Sequence, residues 1–100
     1  MIKHIVMWKL KDYAEGLNNY ENARYIKKVI EGLKDKIPEI HYIEVGVNIN
    51  DSKTAYDAVL YSEFDKASDL EAYRTHSEQM KISSYIRKVR ENRIVVDYVV

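Results

Sequence analysis

Residues 2–10, IKHIVMWKL, form a stretch with apolar side chains on both faces of a would-be strand. Ile2, Val6, Trp8 and Leu10 point one way with His4 among them, while Ile5 and Met7 point the other way between Lys3 and Lys9. Such a strand needs cover on both faces, and a chain of 100 residues with one layer of helices covers only one. The second face must be met by another copy of the protein or by a ligand.

The length suits one domain with a modest core, so residues 1–100 are expected to form a single unit. Sixteen basic side chains balance sixteen acidic ones, which leaves no global field to recruit nucleic acid or an anionic membrane. The absence of cysteine removes disulfides, thiolate metal sites and cysteine nucleophiles, and it suits a reducing compartment. Lys3, His4 and Lys9 interrupt the N-terminal apolar run, so it reads as neither a signal peptide nor a membrane span, and a cytoplasmic location is expected.

Beyond the first strand, Lys11 to Leu17 reads as a loop, and Asn18 and Asn19 offer an N-cap. Ala23, Ile26, Ile30, Leu33 and Ile37 then recur at helical spacing until Pro38. From His41 the period changes to two, predicting a strand to Ile49, and after the loop NINDSKT a third strand is predicted over Ala55 to Phe64. Asp65, or Ser68 with Glu71, could cap the next helix, whose pattern breaks at Thr75 to Ser77 and resumes with Met80, Ile82, Ile86 and Val89 inward and Lys81, Arg87, Lys88 and Arg90 outward. His76 marks the joint. A last strand, Arg93 to Val100, is again apolar on both faces.

Strand, helix, strand, strand, helix pair, strand predicts an α+β, ferredoxin-like βαββαβ fold. Right-handed crossovers give a four-stranded antiparallel sheet of order 4-1-3-2 with the helices on one face. If Trp8, Ile43, Leu60 and Val95 face the helices, the open side carries Ile5, Met7, Val59, Tyr61, Ile94, Val96, Tyr98 and Val100. Leaving that set in water forgoes roughly 12 to 24 kcal/mol at about 1.5 to 3 per large apolar side chain, which exceeds the net stability of many domains. A homodimer stacked sheet on sheet, a dimeric α/β barrel, is therefore expected. RNA, the other partner such a face could take, wants central-strand aromatics in a basic surround. Here Ile5 and Met7 stand on the first strand, and Asp57 and Glu63 flank Tyr61 on the third.

The segments KHIVMWKLK, LEAYRTHSEQ and RIVVDYVV, in that order across nearly the whole chain, resemble the stress-responsive A/B barrel (Dabb) family of dimeric α/β barrel proteins. The resemblance implies this fold and a face-to-face dimer. It implies no single activity, because most members have no assigned reaction and a few plant members are polyketide cyclases. Those cyclases use a Tyr at the position of Tyr73 and a catalytic His three residues beyond the position of His76. Gln79 stands at that second position, and an amide takes up no proton near neutral pH, which argues against general-base catalysis of that kind.

His4, Val6 and Trp8 share the helix-facing side of the first strand, and strand-end pairing with the last strand would bring Asp97 beside His4. One reading is a carboxylate-oriented imidazole at the mouth of a pocket. The other is a buried polar pair that satisfies itself and locks register. His76 at the helical joint could be a cap, or could join Tyr73 and Gln79 in facing Trp8. The expected site thus has His4, Tyr73 and His76 as candidate proton-handling groups. Val6, Trp8, Ile26, Ile30 and Leu60, with Gln79 and Asp97, are the candidate lining of a pocket for a small apolar or aromatic ligand. The alternative is a cyclase-like enzyme acting on a hydrophobic small molecule. No metal or cofactor is expected: the three histidines are widely separated, there is no acidic cluster, and three scattered glycines make no phosphate loop.

Overall fold

A computed structural model describes residues 1–100. Strand β1 (Ile2–Leu10) is followed by a short hairpin of β2 (Tyr13–Ala14) and β3 (Leu17–Asn18), and then by helix α1 (Asn19–Glu31), which runs into a 3₁₀ turn (Gly32–Asp35). Strands β4 (Tyr42–Val47) and β5 (Ala58–Phe64), helices α2 (Ala67–Thr75) and α3 (Ser77–Val89), and strand β6 (Arg90–Val99) complete the chain. The main sheet is antiparallel throughout in the order β4-β5-β1-β6. Counting only its long strands, this is the expected order 4-1-3-2, read from the opposite edge.

Local chemistry explains the elements. Asn18 closes the N-terminus of α1 with a reciprocal box: the Glu21 amide donates to Asn18 Oδ1 at 2.8 Å and the Asn18 amide donates to Glu21 Oε1 at 2.9 Å. Its apolar stripe is buried as the spacing requires, at Ala23, Ile26, Ile30, Leu33 and Ile37. In β5 the alternation is equally plain, with Ala58, Leu60, Ser62 and Phe64 buried and Val59, Tyr61 and Glu63 half-buried. The core has two parts, one where Val6, Trp8 and Leu60 meet α1 and α3, the other around Phe64, Tyr73, Leu33 and Leu70.

Several expectations are corrected. Lys11 to Leu17 is not all loop: Glu15 (φ 52°) and Gly16 (φ 80°), both left-handed, turn the chain tightly enough to pair Ala14 with Leu17. The β4 strand stops at Val47, leaving Ile49 in solvent, and β5 starts only at Ala58. Lys66, without a side-chain hydrogen bond, holds the cap position of α2, because Asp65 lies instead 3.6 Å from His41 and Ser68 falls inside the first turn. Met80 is exposed rather than inward. Val95 has the helix-facing parity, paired with Val6, yet stays 48% exposed because β6 is an edge strand beyond the helical cover. On the side away from the helices, none of Ile5, Met7, Val59, Tyr61, Ile94, Val96 and Tyr98 is buried.

Candidate functional site

Parity on β1 sends His4, Val6 and Trp8 toward the helices, and all three are buried. Leu60 stands opposite Val6 on β5, and Arg93 opposite Trp8 on β6. Helix α1 contributes Ile30, and α2 contributes Tyr73 and Arg74. Helix α3 contributes Gln79, Ser83, Ile86 and Arg87, with Arg90 one turn further on at the start of β6; the spacing of three and four residues places them on one face. These side chains line a half-open cavity of about 360 Å³. That is within the range of small-molecule sites.

His4 is held from both neighbouring strands. Its Nδ1 lies 2.5 Å from Asp97 Oδ1, and its carbonyl accepts the hydroxyl of fully buried Ser62 at 2.9 Å. An ionised carboxylate only accepts, so Nδ1 is the donor and, in the neutral ring, Nε2 carries the lone pair. Nε2 has no partner in the subunit, and no sealed side-chain nitrogen or oxygen goes without one, so Nε2 is not sealed from solvent, and His4 is among the residues that line the cavity. The ring of Tyr73 packs edge-on to His4 at 6.3 Å and tilted against Phe64 at 5.3 Å. Burial pushes its hydroxyl up to about 12, against smaller downward pulls from Gln79 and the Arg93 guanidinium, so at neutral pH it is a proton donor and never a base.

Of the residues expected from sequence, His4, Val6, Trp8, Ile30, Leu60, Tyr73 and Gln79 come together around the cavity. Three do not line it. His76 is the hinge cap: its Nδ1 accepts the Glu78 amide at 3.1 Å, and the residue is not part of the cavity lining. Ile26 lies one helical turn before Ile30 and is consumed by the core. Asp97 touches the site only through His4.

Sequence reasoning missed the arginines. Arg87 and Arg90 were expected to face outward, yet with Arg74 and Arg93 they line the cavity. Arg93 is held below its ordinary pKa, first by burial and then by the positive charges of Arg90 and Arg74. The one local hint is the helical spacing of Gln79, Ser83 and Ile86, which borders the apolar stripe of α3 and shares Ile86 with it.

No group of three histidine, cysteine or acidic residues is placed to hold a metal ion, and no helix is long and apolar enough to cross a membrane.

Comparison with known proteins places these features in context. A family model described as the stress responsive A/B barrel domain matches residues 2–100. A crystal structure from Bacteroides fragilis, described as a dimeric protein of unknown function with a ferredoxin-like fold, is 36% identical, with 99% of this chain and 95% of that chain covered and a TM-score of 0.88. A dimeric ferredoxin-like protein of unknown function from Thermobifida fusca (18% identity, 99% and 90% covered, TM-score 0.83) shares the fold. So does the hydroxynitrile lyase of Passiflora edulis (16% identity, 99% and 92% covered, TM-score 0.81). No curated protein matches the chain.

Proposed function

The chain belongs to the stress-responsive A/B barrel domain family, and from that premise we propose that it acts as a cytoplasmic homodimer whose subunits each bind a small apolar or aromatic ligand between sheet and helices, with no reaction assigned. The observation that carries the ligand reading is the cavity of about 360 Å³, with Val6, Trp8, Ile30, Leu60 and Ile86 as its apolar wall and polar and charged side chains making up the rest of its lining. Pairing through the open sheet face is supported by its unburied apolar side chains and by the dimeric description of the Bacteroides fragilis relative.

Trp8, the only tryptophan, lines the cavity and serves as the reporter. Titration with neutral aromatic and aliphatic amides and alcohols is expected to shift its emission saturably, and Ser83→Phe, which fills the cavity from α3, should abolish the response. A flat titration across the panel would remove the ligand reading.

A second reading, acid–base catalysis on a hydrophobic small molecule, is favoured by one observation: the His4–Asp97 pair leaves Nε2 as an unpartnered lone pair, and His4 lines the cavity together with the neutral Tyr73. Its test is deuterium exchange into an enolisable aryl diketone followed by NMR. Exchange above the buffer rate that disappears in His4→Gln supports it, and a rate equal to buffer sinks it.

A further inference from the structure

We propose that the cavity recognises a small organic carboxylate, its apolar body against Trp8 and its carboxylate held by Arg87, Arg90 and Arg93; this rests on the ligand reading above and specifies its chemistry.

Arg74, Arg87, Arg90 and Arg93 all line one cavity of about 360 Å³. Arg74 has a carboxylate partner, Glu71 at 3.8 Å. The guanidinium groups of Arg87, Arg90 and Arg93 form no ion pair and donate no hydrogen bond within the subunit. Asp97, whose negative charge favours the charged form of Arg93, is already engaged by His4.

Like charges gathered around a common space repel one another, and Arg93 is held below its ordinary pKa first by burial and then by Arg90 and Arg74. A sequence with net charge zero could have dispersed these four residues, and it concentrates them beside the apolar wall of Val6, Trp8, Ile30, Leu60 and Ile86. A planar carboxylate is the group that guanidinium forks match in geometry and charge. The remaining polar lining fits the same anion: the neutral Tyr73 hydroxyl, the Gln79 amide and the Ser83 hydroxyl can all donate. The cavity would hold about a dozen waters at roughly 30 Å³ each, which limits the body to one ring or a short chain.

Calorimetric titration of the intact protein with octanoate and with octanamide, its uncharged counterpart of the same shape, tests this. Octanoate should bind about tenfold to a hundredfold more tightly, the ratio expected for charge-assisted hydrogen bonds, and added salt should narrow the gap. Arg90→Gln and Arg93→Gln should each erase most of the difference by weakening octanoate, and Arg24→Gln, on the exposed side of α1, should keep it. Equal affinity for the two probes would overturn the carboxylate assignment and leave the ligand reading standing. Silence from both probes would overturn both, and a preference for octanoate that survives Arg90→Gln and Arg93→Gln would overturn the assigned residues.

Discussion

Tyr73 carries two duties that substitutions separate. As a ring it fills the junction between Phe64 and His4, so Tyr73→Ala should cost about 3 to 5 kcal/mol. As a phenol it is held neutral, its pKa raised from 10.0 to about 12 by burial. A raised folded-state value means that the stabilising contribution is fully present below pH 10 and is lost as pH rises through 12, because the unfolded chain releases its proton first. Urea melts from pH 9 to 12 should therefore show an alkaline loss of about 2 to 3 kcal/mol that Tyr73→Phe removes. At Asp97 the expectation runs through His4: Asp97→Asn replaces a charge-assisted bond by a neutral one. It should lower stability by about 1 to 2 kcal/mol in denaturant titrations while preserving the strand register. His76, by contrast, is legible from sequence as a helical joint, and its Nδ1 caps α3 by accepting the Glu78 amide.

At the scale of the element, α1 shows how a short signal fixes a boundary. Asn18→Ala removes the side-chain half of the box, the bond that Oδ1 accepts from the Glu21 amide, and should cost about 1 kcal/mol, seen as a fall of roughly 4 to 8 °C in thermal midpoint for a domain this small. Helix α3 is the harder lesson. Its apolar residues Ile82, Ile86 and Val89 identify it as a helix that packs inward, and the charged residues between them read as a solvated face. The structure turns part of that charged face onto the cavity, because the kink at His76 sets α3 on a course independent of α2. A hinge angle has no periodicity to read. Edge position misleads in the same way at β6, where alternation indicates which side Val95 takes but not whether anything covers it.

For the whole molecule, the uncovered sheet face is the dominant energetic feature. Val96, paired with Ile5 and 53% exposed in the single subunit, is well placed to separate folding from association. Val96→Glu should leave the circular dichroism of the subunit intact and yield a monomer by sedimentation equilibrium. The urea midpoint of the unmodified protein should rise with protein concentration, and that of the variant should not. A monomer of the unmodified protein at micromolar concentration would refute the paired assembly outright.

Periodicity and handedness, both local properties of the chain, determined the strands, the helices, their order in the sheet and the surplus of apolar strand surface. They also brought His4 beside Asp97, since strand pairing follows from alternation and direction. What only the tertiary structure decided is which polar side chains meet: the arginines of α2, α3 and β6 converge on Trp8 through a hinge angle and an edge-strand offset. Those quantities are set by packing between segments distant in sequence, and so no short stretch of residues encodes them.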